Sequence, residues 1–262
     1  MIEKPSGAPV FWGRYDDRIA DQDLRQRPES IEMSRGEMCI AACMNILRHG
    51  YGVVQTADVN RPFDRNGQPL PLYTYPAIEY LTQFDYRTKR VFEYGAGSST
   101  LFWMQRAQQL VSVDNDPHWY SMLKPRLGGH VTLHLEEADG FPYCIERYEH
   151  PFDVIVIDGS GYRYDCAEVA LPHLAPGGLI VLDNADWHHH TAALLKRSGL
   201  LQVDMTGFKP TEHHTSTTSL FFHRAFDFPT LEQRQPSFGI GAKPAHSSAW
   251  DRPYAVRPQR KE

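Results

Sequence analysis

From about residue 90 onward, short runs of valine, isoleucine, leucine and phenylalanine alternate with stretches whose apolar positions recur at helical spacing. The runs predict strands over 90–94, 110–114, 131–135, 152–158, 179–183, 200–205 and 219–223. Helical patterns over 101–109, 118–126, 165–174 and 188–197 fill most of the gaps, and another precedes them at 77–84. Strand–helix alternation of this kind predicts a parallel sheet with helices on both faces. Upstream, Ser34 and Glu37 have the spacing of a capping box and open a helix over 35–49, which Gly50 ends. Between 51 and 76 the pattern gives way to turn chemistry: Asn66-Gly67, Pro69, Pro71 and Pro76. Within it Tyr73 and Tyr75 sit on proline-stiffened backbone, either as the wall of a ligand pocket or as a packed connector. Residues 1–33 are polar and irregular. The last stretch, 228–262, has five prolines and no periodicity, as expected of a surface extension. The resulting division is an N-terminal extension with one helix (1–70), a central domain (71–226) and a proline-rich tail (227–262).

Composition narrows the class. The chain has 262 residues, 41% hydrophobic and 23% charged, enough for one well-buried domain plus extensions. No stretch approaches the roughly 20 apolar residues of a membrane span, and the first residues lack a secretory pattern because Pro5, Gly7 and Pro9 interrupt it. Cys39, Cys43, Cys144 and Cys166 form no C-x-x-C pair, which argues against a zinc cluster or disulfide framework; Cys39 and Cys43 read as small core residues beside Ile40. Scattered thiols fit a cytoplasmic protein with no membrane partner. A net charge of −5 gives no overall pull toward nucleic acid.

The candidate chemistry starts at Arg90–Thr100, where a strand pattern ends in Glu93-Tyr94-Gly95-Ala96-Gly97-Ser98. Glycines there permit unusual backbone angles and close approach of a ligand, and the following helix start offers N–H donors. Three more acids fall at strand ends. Asp114 closes the second strand, 17 residues beyond Gly97, where a carboxylate can accept both hydroxyls of a ribose. Asp139 follows the third and Asp158 closes the fourth. In an open α/β sheet the ligand crevice lies beyond the carboxyl ends of the strands, where strand order reverses, so these groups converge on one place.

Glu93-Tyr94-Gly95-Ala96-Gly97, Asp114, Asp139-Gly140, Asp158 and the run Leu174-Ala175-Pro176-Gly177-Gly178 together resemble the successive motifs of class I S-adenosylmethionine-dependent methyltransferases. The resemblance implies an α/β, Rossmann-like doubly wound sheet of seven strands, mostly parallel with an antiparallel last strand, here carrying an N-terminal helical extension. It implies S-adenosylmethionine as cofactor, held by Glu93, Tyr94, Gly95, Ala96, Gly97 and Ser98 at the methionine end. Asp114 and Asn115 fall at the ribose and Asp139 and Gly140 at the adenine; Asp158, and Tyr75 from the proline-stiffened stretch, are further candidate cofactor contacts. A dehydrogenase of the NAD type also needs a glycine turn and a second-strand acid. Its third glycine position is Thr100 here, and Glu93 would repel a pyrophosphate.

A second resemblance, to metal-dependent O-methyltransferases of the catechol and caffeoyl-coenzyme A type, rests on Asp158 with Asp183-Asn184. It implies a divalent metal on these three oxygen ligands. Gly161 stands where that family carries a lysine base, so the metal-free form is favoured. His188, first of the run His188-His189-His190, is the candidate general base, with Asp158 as the second catalytic group. The expected function is methyl transfer to an O or N nucleophile of a small molecule, without nucleic-acid partners. The alternatives are a nucleic-acid methyltransferase, the dehydrogenase, and a non-catalytic protein that binds an adenosyl ligand. The acceptor and the oligomeric state are left open.

Overall fold

The computed structural model describes residues 33–137, 139–232 and 235–243; the readings made above for 1–32 and 244–262 lie outside the described residues. Two compact units result, one spanning 51–237 and a smaller one that includes 33–50 and 238–243. In the smaller unit, helix α1 (Arg35–Asn45) starts on the expected capping box: Glu37 N–H donates to Ser34 Oγ (3.3 Å), and Ser34 N–H to Glu37 Oε2 (2.7 Å). It runs into a single wider turn, Ile46–Gly50, and stops where the glycine was expected to stop it. Cys39, Cys43 and Ile40 are exposed, not in a core. Asn45 alone is buried on this helix, because the described part of this unit supplies little apolar surface to cover the rest.

The larger unit begins with α2 (Val53–Val59) and α3 (Tyr75–Leu81). Helix α2 lies where turn chemistry was expected, so 1–70 holds a second helix and the boundary at 71 falls inside this unit. Its valines and threonine are weak helix formers that leave no sequence signal. Gly52 and Asn60, both with positive φ (72° and 48°), bracket it instead. The sheet and its helices follow: β1 (Arg90–Tyr94), α4 (Ser98–Met104), β2 (Gln109–Asp114), α5 (Pro117–Leu123), β3 (Val131–Leu135), α6 (Gly140–Tyr143) and β4 (Phe152–Ile157). After these come α7 (Arg163–Ala170), β5 (Leu174–Leu182), α8 (His189–Arg197), β6 (Leu201–Phe208) and β7 (Thr215–Phe222).

Strand order is β3-β2-β1-β4-β5-β7-β6, with β1 through β5 pairing in parallel and β7 antiparallel to both neighbours. This is the seven-stranded, mostly parallel arrangement the sequence implied. Each side of the sheet is covered, as parallel sheets require. Along β4, Val154 and Val156 enter a core shared with Tyr73, Tyr75, Phe102 and Trp103. The alternating Ile155 and Ile157 enter a second core with Phe141, Cys166, Ala170 and Leu195. Strand β6, on the outer edge, runs three residues past its expected end, because its half-exposed residues carry no apolar run to mark it. The chain leaves β1 and β4 on adjacent strands but in opposite lateral directions, so the crevice opens at their carboxyl ends.

Candidate active site

A cavity of about 760 Å³ lies at that switch point. One end is built by the glycine turn. Gly95 takes φ of +91°, and a Cβ there would stand 2.6 Å from the Asp158 carbonyl oxygen, so both conformation and space demand glycine. In front of Gly97, where a Cβ would lie, there is nothing within 4 Å: the backbone is open to a ligand. Ala96 N–H donates to Asp114 Oδ2 (2.7 Å) and Asp116 N–H to Asp114 Oδ1 (2.7 Å), which fixes that carboxylate at the end of β2. Burial pushes its pKa up, against the pull of those backbone donors. Gly95, Ala96, Gly97, Ser98, Asp114 and Asn115 all line the cavity, joined by Asp116 and the indole of Trp119.

Glu93 is placed differently from the expectation. It is fully buried and outside the cavity lining. Its Oε2 accepts from Thr100 Oγ1 and Ser112 Oγ (both 2.6 Å), and Thr100 Oγ1 in turn accepts from Gly97 N–H (2.9 Å). The carboxyl therefore bolts the glycine turn from beneath. Among the described residues its second oxygen has no hydrogen-bond partner, and burial raises its pKa from 4.5 to about 7 despite the hydroxyl donors. Because the folded value exceeds the unfolded one, the folded state favours the protonated form. Its contribution is complete below pH 4.5 and is lost as pH rises toward 7 and beyond. Glu93→Gln, which keeps the shape and removes the titration, should lack this loss. Urea unfolding of both proteins is expected to show the variant gaining roughly 2 kcal/mol on wild type between pH 5.5 and 8; a constant gap would contradict the assignment.

Tyr75 and Tyr94 are corrections. Tyr75 is buried against Tyr51 (ring centroids 4.2 Å apart) in the first core, and Leu72, not either tyrosine, represents this segment in the cavity. Tyr73 is buried too, accepting from Trp103 Nε1 (3.3 Å). Large aromatics next to a sheet face gain more from burial than a rim position offers, so the stretch is a packed connector. Tyr75→Ala should cost about 3–5 kcal/mol of stability while the folded fraction keeps its ligand affinity, which unfolding curves paired with titration would read. Tyr94 points to the opposite face, packed on Phe141 and donating to Pro142 O (2.8 Å). Asp139 is exposed at the start of α6 and Gly140 half-buried; neither lines the cavity. β3 is the outer strand, two removed from the switch point.

The other end holds Asp158, Asp183, Asn184 and two cations that the sequence reading did not single out. Arg163 donates from Nη2 to Asp158 Oδ1 (3.0 Å), from Nε to Gly159 O (2.9 Å) and from Nη1 to Asp183 O. Lys209, only 4% exposed, donates to Asp183 Oδ2 (2.5 Å), whose Oδ1 accepts from Thr218 Oγ1 (2.7 Å). The Asn184 amide completes the group with its oxygen toward Lys209 Nζ (3.0 Å) and its nitrogen donating to Asp183 Oδ2 (2.8 Å). Burial, and next the Asp183 carboxylate, raise the pKa of Asp158, with Arg163 and Lys209 opposing. Asp158, Asp183 and Asn184 fit a divalent ion poorly, because Lys209 and Thr218 hold the Asp183 carboxylate, the Asn184 oxygen turns to Lys209 and Arg163 takes one oxygen of Asp158, which leaves a single carboxylate oxygen among the three side chains. Neither Arg163, at a helix start, nor Lys209, in a loop after an edge strand, belongs to a recognisable motif. Tertiary structure alone brings them to the site.

His188 is half-buried just before α8 and does not line the cavity. Burial, then Arg163, lower its pKa, so the ring is neutral at physiological pH. The turn that precedes it delivers Trp187 to the cavity instead, 65% exposed. Of the two groups expected to be catalytic, Asp158 alone reaches the cavity.

Residues 92–185, which run from within β1 to just past β5 and hold most of the cavity lining, match the model of a family described as a methyltransferase domain. Over this stretch the chain is similar to a methyltransferase domain. That bears out the resemblance to S-adenosylmethionine-dependent methyltransferases, whose donor is S-adenosylmethionine. Among curated proteins there is no match. Solved structures with a similar fold include precorrin-6y C5,15-methyltransferase from Geobacter metallireducens GS-15 (18% identity, 66% of this chain and 98% of that one, TM-score 0.45). Others are the N-methyltransferase NodS from Bradyrhizobium japonicum WM9 (15%, 52% and 85%, 0.41) and an rRNA methylase from Streptococcus thermophilus (13%, 56% and 95%, 0.41). The methyltransferase domain fits its cofactor on its own residues: an open glycine turn, a fixed carboxylate at the end of β2, and an indole at the same end of the cavity. No helix among the described residues is long and apolar enough to cross a membrane.

Proposed function

We propose that this domain transfers a methyl group from S-adenosylmethionine to an O or N nucleophile of a small molecule. The cofactor supplies an electrophilic methyl on a sulfonium. Gly95, Ala96, Gly97 and Ser98 would line its aminoacyl end, Asp114 would accept from its ribose hydroxyls, and Asn115, Asp116 and Trp119 would border its base. The single observation that carries the reading is the cavity itself: one continuous space joins the glycine turn and Asp114 to Asp158.

Asp158 would orient the acceptor and take its proton. As the new bond to carbon forms, the acceptor's O–H or N–H proton passes to the Asp158 carboxylate, the carbon–sulfur bond breaks, and a neutral thioether leaves. A raised pKa makes this carboxylate a stronger base than an ordinary one. Arg163 keeps it in place. The same cavity, about 760 Å³, has room for a small acceptor beside the cofactor. Incubation with methyl-labelled S-adenosylmethionine and a small-molecule extract should label low-molecular-weight products, with or without a chelator. Label confined to RNA, or activity abolished by chelator and restored by Mg²⁺, would contradict the reading.

A further inference from the structure

The far end of the cavity has more hydrogen-bond donors than the protein can satisfy. A guanidinium carries five N–H groups and an ammonium three. Among the described residues, Arg163 uses one each from Nε, Nη1 and Nη2. Lys209 uses two, on Asp183 and Asn184. Both line the cavity, and both bond to the one residue Asp183, Arg163 at its carbonyl and Lys209 at its carboxylate. Two N–H of Arg163 and one of Lys209 are therefore left over at neighbouring points of a wall where side-chain exposure is 10% and 5%. Asp183 has no oxygen to spare, since Lys209, Thr218 and Asn184 take both. Among the described residues, the one carboxylate oxygen of this group without a protein partner is the second oxygen of Asp158.

We propose that the methyl acceptor is a small acid, carrying a carboxylate beside its nucleophilic O–H or N–H. The carboxylate would accept from the unused donors of Arg163 and Lys209, and the neighbouring O–H or N–H would donate to the free oxygen of Asp158. Each unmet need in the wall is then answered by one half of the ligand. A buried guanidinium with spare N–H groups is also suited to a planar carboxylate. Trp187 and Leu72 give the same cavity apolar surface for the rest of such a molecule.

The proposal rests on the methyl-transfer reading, and the test separates the two. Salicylate, anthranilate and lactate, each paired with its methyl ester, are titrated into the full-length protein saturated with S-adenosylhomocysteine. At least one acid should bind, with its ester at least 30-fold weaker. Lys209→Met and Arg163→Gln should each weaken the acid at least tenfold and leave the ester unchanged, and Lys209→Arg should restore most of the affinity. S-adenosylhomocysteine affinity, measured in the same variants, reports folding and should hold within twofold. If the homocysteine compound binds normally but no acid binds, or esters bind as well as acids, or both variants leave the acid's affinity intact, the proposal is overturned and methyl transfer stands. Absence of S-adenosylhomocysteine binding by the wild-type protein would overturn both.

Discussion

Asp158→Asn is expected to lower turnover by about 10²–10⁴-fold, the range over which a positioned base contributes, while leaving S-adenosylhomocysteine affinity within a few-fold. The substitution keeps the size and the contact with Arg163 but removes the charge that accepts the proton. Asp158 stands at the far end of the cavity, directly after the strand that pairs with β1, with one oxygen held by Arg163 at 3.0 Å. The pH profile gives an independent reading. Since burial and Asp183 lift this carboxyl above the usual range, wild-type activity should fall on the acid side at a higher pH than an exposed aspartate would give. That limb should be missing from the residual activity of the variant. Full activity in Asp158→Asn would show that the proton goes elsewhere.

The second large effect concerns the cofactor. Asp114→Ala should weaken S-adenosylmethionine binding by roughly 1.5–3 kcal/mol, about 10–150-fold, because a ligand hydroxyl loses a charged acceptor. Two backbone N–H groups, of Ala96 and Asp116, lose theirs as well. The same change should loosen the glycine turn, so Asp114→Asn is the sharper comparison: it keeps an acceptor oxygen and should recover part of the affinity. Calorimetric titration of the three proteins measures the series. Equal affinity in all three would remove Asp114 from the ribose.

What could be read from the sequence divides along physical lines. Strands β1, β3 and β4 begin where the apolar runs begin, because buried parallel strands are continuous apolar segments bounded by turns. Gly95 was legible because a left-handed residue packed on another strand's carbonyl can only be glycine. Asp114 and Asp158 were legible because they close such strands. Glu93 was recognised as belonging to the turn, but its direction was not. On a strand buried on both faces the pattern does not say whether an acid points to the ligand or beneath it. Tyr75 failed for a related reason: aromatics on a stiff backbone look alike whether they line a cavity or fill a core. Arg163, Lys209 and Trp187 carried no local signal, since their meeting depends on how three separate connections fold over the crevice. Helix α2 was missed because two left-handed ends define it, with no periodicity to mark it.

The central claim is that the cavity beside Gly95, Gly97 and Asp114 takes an adenosyl sulfonium and not a dinucleotide. Titration of the purified protein with S-adenosylhomocysteine, and separately with NAD, tests it most directly. The account predicts micromolar binding of the homocysteine compound, about −8 kcal/mol, and no response to NAD. Heat from NAD with none from S-adenosylhomocysteine would contradict it.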